Sequence, residues 1–388
     1  MSYADIIKRK QKEWDCKSLM NAIYEVQGDR IPFSSPLMNW FTYGGVPRNK
    51  ITEIFGSEGS GKSTVCQDIC RNAAKIFQEE YDAKLLELQE AVSNGNKSAS
   101  DELEELEELG PKKVLYIDVE HSFDISWAKI LGIDLETIDV MQPPNVYGED
   151  VLQTVREIVE TGEVGLIVLD SLPALTPKSV LEKKIGERTV AALAGLLNTF
   201  YPLIVPLLTR YHCTLVCVNQ VRDNMVNPYI INTPGGNAPK FYASLRMMMR
   251  KGKPIDLFGN ELPQNAENPS GCIIQATSIK QKTAPNDRKL GTFYLMFQSG
   301  IRPDYDYATL AVKNYGLIKK SAGWYSFVEP ATGEVLEDTE SGKPVKVNGL
   351  GKVYEFLQTH ESYYQALRDY IDADINGRSD VTDGEETD

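Results

Sequence analysis

Apolar residues recur along this chain with two periods, and their alternation predicts a layered α/β fold. Four short runs, 51–55, 114–119, 165–170 and 215–220, are almost continuously apolar, as parallel strands buried on both faces are. Between the first two lies a helical spacing, Val65, Ile69, Ala73 and Ile76. Residues 79–110 add two amphipathic patterns, Leu85, Leu86, Leu88 and Val92, then Leu103, Leu106 and Leu109, parted by Ser93-Asn94-Gly95-Asn96. They read as a helical hairpin inserted between the first core helix and the second strand, its acidic face a solvated surface. Ahead of the sheet, Ile6, Ile7, Trp14, Leu19, Met20, Ile23 and Tyr24 give residues 1–27 a helical pattern ended by Gly28. Such a helix must bury its apolar face on this core or on another subunit. Beyond Pro303, the residues Leu310, Val312, Tyr315, Leu317 and Ile318, with Gly323-Trp324-Tyr325, predict a small α/β C-terminal domain over 301–371. The run 372–388 is acidic and lacks aromatics, which predicts a disordered tail.

Composition changes this picture little. Of the 388 residues, 42% are hydrophobic and 25% charged, ordinary values for a globular chain. No apolar run approaches the roughly 18 residues that a membrane span needs, and residues 1–12 carry charge without an apolar signal core. A cytoplasmic protein with no membrane partner is expected. Cys16, Cys66, Cys70, Cys213, Cys217 and Cys272 lack C-x-x-C pairing and read as reduced, packed thiols. The net charge of -14 argues against a nucleic-acid partner only until its distribution is considered. Much of the acid sits in 79–108 and after Asp372, and binding is governed by local patches where whole-chain charge governs solubility.

Chemistry enters at Gly56-Ser57-Glu58-Gly59-Ser60-Gly61-Lys62-Ser63-Thr64, which has the G-x-x-x-x-G-K-[ST] spacing of a phosphate-binding loop between a strand and a helix. That context turns backbone N–H groups and a helix N-terminus toward the polyphosphate of ATP. Lys62 would reach the β- and γ-phosphates, and the Ser63 hydroxyl would bind Mg²⁺. The later strands end in polar groups: Asp118, Glu120 and His121 after the second, Asp170 at the third, Gln220 at the fourth. Ligands of open α/β sheets bind beyond such carboxyl ends. Asp170 fits the magnesium-supporting carboxylate, Glu120 the group that orients and activates water, and Gln220 a hydrogen-bonding partner of the γ-phosphate.

At these residues the chain closely resembles the bacterial RecA recombinases. The resemblance runs from about residue 31 to beyond Trp324. It is carried by Asp118-Val119-Glu120-His121 with Asp124 and Trp127, by 170–178, by Asn219-Gln220-Val221-Arg222, by 235–244, by Lys280-Gln281-Lys282 and by Gly323-Trp324-Tyr325-Ser326. The family has tyrosine where Trp127 stands and a longer second DNA loop, departures that suit a phage-encoded version as well as a bacterial one.

The resemblance implies a RecA-type P-loop NTPase core with a mostly parallel central sheet over 31–300, an N-terminal oligomerisation helix over 1–30, and a DNA-dependent ATPase. It would form helical filaments of itself on single-stranded DNA and exchange strands with duplex DNA in recombination and repair. Single-strand-binding and loader proteins would be further partners. Carried over by position, Glu120 and Lys62 are catalytic, Gln220 couples the γ-phosphate to the second DNA loop, and Asp124 and Trp127 flank adenine. Lys280 and Lys282 would reach the ATP of the neighbouring subunit. The DNA loops map to 181–190, with Lys183, Lys184 and Arg188 around Gly186, and to 221–234, with Arg222, ending at Gly235-Gly236-Asn237. Of the second loop's apolar residues, Tyr229 and Ile230 are candidates to wedge between bases. Arg246, Arg250, Lys251 and Lys253 either line the DNA channel or face solvent, and Lys319, Lys320, Lys343, Lys346 and Lys352 could guide duplex DNA, with the acidic tail competing for them. A hexameric RecA-fold helicase, or an ATP-binding assembly or regulatory protein, would share the nucleotide parts; the loop cations favour DNA processing.

Overall fold

The computed structural model describes residues 5, 6, 8–10, 30–144, 146–182, 191–222, 232–338 and 341–377. In chain order its main elements are α1 (Pro36–Thr42), β1 (Ile51–Gly56), α2 (Lys62–Ser93), α3 (Lys97–Leu109), β2 (Lys113–Asp118), α4 (Ile125–Ile130), β3 (Ile138–Met141), α5 (Gly148–Thr161), β4 (Val164–Asp170), α6 (Ala192–Arg210), β5 (Thr214–Gln220), α7 (Ala238–Tyr242), β6 (Leu245–Ile255), β7 (Gly271–Gln281), β8 (Leu290–Met296) and β9 (Gly300–Ile301). They are followed by α8 (Pro303–Leu310), β10 (Ile318–Ser321), β11 (Trp324–Phe327), β12 (Lys346–Asn348), α9 (Leu350–Thr359) and α10 (Glu361–Gly377).

β1 to β9 form one sheet in the order β9-β8-β7-β6-β1-β5-β4-β2-β3. The six strands from β6 to β3 run parallel, and β7, β8 and β9 complete the sheet antiparallel. Because strand side chains alternate between faces, β2 sends Tyr116 to one layer and Leu115 and Ile117 to the other. On the first face Val65, Ile69, Ala73 and Phe77 of α2 cover Tyr116, Val168 and Val216. On the second, Val155 and Val159 of α5 and Leu197, Tyr201 and Ile204 of α6 cover Ile117, Ile167 and Leu215. Both layers leave the carboxyl ends of β1, β2, β4 and β5 on one edge of the fold.

Four features differ from the sequence reading. The helix after the phosphate loop does not stop where the hairpin was expected to begin: α2 is continuous for 32 residues, so the core helix is itself the hairpin's first arm. α6 is 19 residues long with mean hydropathy 1.6, long and apolar enough by length and composition to cross a membrane. Asn198, Thr199, Pro202 and Pro206 interrupt its apolar run in sequence, yet Leu197, Phe200, Tyr201, Ile204 and Leu208 line a buried face against the sheet. The C-terminal residues share a core with the antiparallel strands, since Tyr305, Leu310, Phe327, Tyr354 and Leu367 pack with Ile255, Ile273 and Tyr294. Finally, α10 runs five residues past Asp372, held by hydrogen bonds from Tyr307 to Asp372 (2.7 Å) and from Tyr315 to Asp374 (2.8 Å) and by burial of Ile375. The rest of the expected tail, 378–388, lies outside the described residues. So does most of the expected N-terminal helix, of which 5, 6 and 8–10 are helical. The five described cysteines are free and buried.

Candidate nucleotide site at the carboxyl ends of the strands

The phosphate loop is shaped by the absence of side chains at two kinds of position. A Cβ on Gly56 would lie 2.2 Å from the Met249 carbonyl oxygen of β6, so only glycine lets the loop leave the sheet there. Gly59 and Gly61 take φ of +66° and +83°, left-handed values that glycine adopts without strain. Gly61 then caps α2 with no side-chain acceptor, which leaves first-turn N–H groups for a ligand.

Around this loop Lys62, Ser63, Asp170 and Glu120 are already paired. Lys62 Nζ donates to the carbonyls of Ser57 (2.8 Å) and Gly56 (3.2 Å), curling over its own loop. Burial lowers its pKa, and the carboxylates of Asp170 and Glu120 oppose that shift. The Ser63 hydroxyl donates to Asp170 Oδ2 at 2.9 Å, and the buried Tyr116 hydroxyl donates to the same oxygen. Burial raises the Asp170 pKa, while the hydrogen bonds from Tyr116 and Ser63 hold it down. Glu120 accepts from Gln220 Nε2 at 3.0 Å and from the Ser171 hydroxyl. Asp118 turns away, its Oδ2 accepting from Phe123 N–H and Gln142 Nε2, both at 2.8 Å. Among the described residues no cluster of three or more His, Cys, Asp or Glu could hold a metal by itself. The Ser63 hydroxyl beside one carboxylate could supply part of the donor set for a Mg²⁺ that takes its other ligands from phosphates and water.

The rim of the site is aromatic. Trp127 Nε1 donates to Thr64 Oγ1 at 3.1 Å, which holds the indole beside the phosphate loop. Asp124 caps α4 through Oδ1, bonded to Ser126 and Trp127 N–H, and is otherwise exposed. An open pocket of about 260 Å³ lies against 59–64 and is lined on its other side by Lys251, Cys272, Ile274, Leu295 and Phe297. Sequence reasoning missed Phe297 and left Lys251 without a place. Phe297 is 42% exposed directly after a buried strand, and an aromatic residue in that setting was the available signal.

A family model of the RecA N-terminal domain matches residues 84–302, more than half of the chain. The chain is 32% identical over 301 residues to Protein RecA of Sulfurimonas denitrificans, covering 77% of this chain and 74% of that one. It is 30% identical over 344 residues to Protein RecA of Thermus aquaticus, 87% of each. This chain belongs to the RecA family. It is a single-strand-DNA-dependent ATPase that pairs and exchanges strands in recombination and repair; it binds ATP and DNA and assembles into oligomers.

Other predicted residues of this RecA-family chain fall in five sets. Lys280 and Lys282, at the end of β7, donate to the last carbonyls of α7: Lys280 to Lys240 O (2.6 Å) and Phe241 O (2.8 Å), Lys282 to Phe241 O (3.2 Å). Burial first, then the adjacent Lys282 ammonium, lower the Lys280 pKa to about 8. Gly235 and Gly236, with φ of +92° and +74°, seat the chain against α6, where a Cβ on Gly235 would come within 2.5 Å of Leu197; Asn237 follows them, exposed at the head of α7. Arg222 N–H bonds Asn232 O at 2.9 Å, and its side chain is exposed. Lys183, Lys184, Gly186, Arg188, Tyr229 and Ile230 lie outside the described residues. Arg246 neither lines a channel nor faces solvent: it is buried against Phe55 and ion-paired with Glu53.

Proposed function

We propose that ATP is hydrolysed at the loop 56–64 by residues of two protomers. Lys62 exchanges its two loop carbonyls for the β- and γ-phosphates, with the N–H groups at the head of α2 completing the cradle. Ser63 and Asp170 hold Mg²⁺, which when bound offsets phosphate charge. Glu120 orients and deprotonates the attacking water. Gln220 leaves Glu120 to bond the γ-phosphate, so one amide reports whether that phosphate is present. Trp127, with Asp124 beside it, faces the adenine from one side and Phe297 from the other. Lys280 and Lys282, engaged by α7 in the isolated chain, act on the nucleotide of the adjacent protomer. Arg222 and the glycine pair Gly235-Gly236, with Asn237, contact single-stranded DNA together with Lys183, Lys184, Gly186, Arg188, Tyr229 and Ile230. Residues 1–30 dock on the next protomer, a head-to-tail contact that builds a helix. We place the chain in the cytoplasm, with loader and single-strand-binding proteins as its auxiliary partners.

The observation that carries this reading is the 3.0 Å bond between Gln220 Nε2 and Glu120 Oε1. It joins the candidate base to the strand that enters the second DNA loop. In the test, single-stranded DNA raises ATP turnover of the native chain, and Glu120→Gln lowers the stimulated rate by about 10²-fold or more, the usual span for a lost general base. Nucleotide and DNA binding by Glu120→Gln stay close to native. Turnover within about tenfold of native would remove Glu120 from the chemistry.

A further inference from the structure

Behind the phosphate loop lies a buried polar cluster that the roles above leave unused. Glu53, in the middle of β1, is 0% exposed and stands in register with Cys217 of β5 and Arg246 of β6. Its Oε2 accepts from Arg246 Nε, and its Oε1 accepts from Asn219 Nδ2 at 2.8 Å. Asn219, also 0% exposed, donates from the same Nδ2 to Pro234 O at 3.1 Å, and its Oδ1 accepts from Gln220 N–H at 2.9 Å. The carboxamide has one orientation here. Turned over, it would set its oxygen against a carboxylate and a carbonyl and its NH₂ against an N–H. A buried ion pair gains little net stability over apolar side chains of the same size, so this pair is better explained by the geometry it imposes on Asn219.

We infer that Asn219, anchored by the Glu53–Arg246 pair, is a positioning residue that clamps together the two ends of the chain between Gln220 and Pro234. One side chain holds the backbone at both ends. Val221 N–H bonded to Gly56 O and Arg222 N–H bonded to Asn232 O tie the same ends to the phosphate loop and to each other. A shift of Gln220 toward or away from Glu120 therefore carries Pro234 and the Gly235-Gly236 seat with it. This inference rests on the proposed role of Gln220.

The test measures ATP turnover with and without a dT oligonucleotide in the native chain and three variants. Asn219→Ala should keep DNA-free turnover and the KM for ATP within about threefold of native, while stimulation by the oligonucleotide falls about tenfold or more. The pair Glu53→Gln with Arg246→Gln keeps an acceptor for Asn219 and should retain stimulation to within about threefold; Glu53→Leu with Arg246→Leu removes the acceptor and should behave as Asn219→Ala. If Asn219→Ala fails to fold, the two double variants decide between them. Native stimulation in Asn219→Ala, or equal stimulation in the Gln and Leu pairs, overturns the inference alone. A native chain that the oligonucleotide does not stimulate overturns both the inference and the reading beneath it.

Discussion

The two halves of α2 belong to one unbroken helix and live under different rules. From Lys62 to Phe77 its inward side chains are fully buried, and even the polar Asp68 is buried, accepting from Ser34 N–H at 2.8 Å. From Glu79 onward Leu88 is its only buried residue; the arm packs against α3, whose one buried residue is Ala99. The exposed ion pairs Lys75–Glu79 (3.7 Å) and Lys84–Glu87 (3.0 Å) are of a kind that contributes at most about 0.5 kcal/mol each. The change comes at one joint. Phe77 lies on Gly165 at the start of β4, where a Cβ would come within 2.5 Å of the ring, and Arg48 covers the other side while pairing with Glu80. Continuity of a helix thus says nothing about continuity of its work: the first half holds the phosphate loop to the sheet, and the second keeps its shape from local helix preference and one neighbour.

The largest effect should therefore fall at that joint. Phe77→Ala should lower stability by about 3–5 kcal/mol, because Gly165 offers no side chain to fill the space the ring vacates. Urea unfolding measures it. A loss below about 1 kcal/mol would mean that the two halves are not separated there.

Sequence made the first half legible and the second only partly so. The strands, the phosphate loop and the polar strand ends Glu120, Asp170 and Gln220 are local patterns, each contained within a few residues, and all of them meet at one edge of the sheet. The unbroken course of α2 was not visible, because the apolar stripe changes at Phe77 while Glu, Lys, Leu and Ala keep helix preference high across the joint. Arg246 read as surface charge because its partner Glu53 is 193 residues away in sequence. Phe297 and Lys251 reach the phosphate loop only because β6 and β8 flank β1 and β7 in the finished sheet. The extent of α10 likewise depends on Tyr307 and Tyr315, which come from an earlier part of the chain.

Charge sharpens the comparison at the active edge. With its pKa near 8, Lys280 carries its proton at pH 7 and loses it as pH rises past that value. If the cation acts on a neighbour's nucleotide and keeps that pKa there, DNA-stimulated turnover should fall about tenfold between pH 7 and 9, the ratio of charged fractions at those two pH values. Phosphate beside the ammonium would move the fall to higher pH. Lys280→Arg, whose guanidinium stays charged over that range, should flatten the decline even if its plateau rate is lower. Identical pH profiles for the two proteins would take Lys280 out of the reaction.

The smallest effect is expected on the arm, where charge is densest. Glu104, Glu105, Glu107 and Glu108 of α3 are all exposed and make no ion pair among the described residues. Replacing all four by Gln should change stability by no more than about 0.5 kcal/mol per site and leave stimulated turnover within about twofold. The more demanding measurement is the salt dependence of single-strand binding. If the arm is only a solvated surface lying more than a Debye length, about 10 Å at 0.1 M salt, from the bound strand, the slope of log affinity against log salt should not move. A rise in affinity of about tenfold at low salt, fading as salt is added, would show that the arm repels the strand at close range. It would then belong, like the first half of α2, to the machinery at the strand ends.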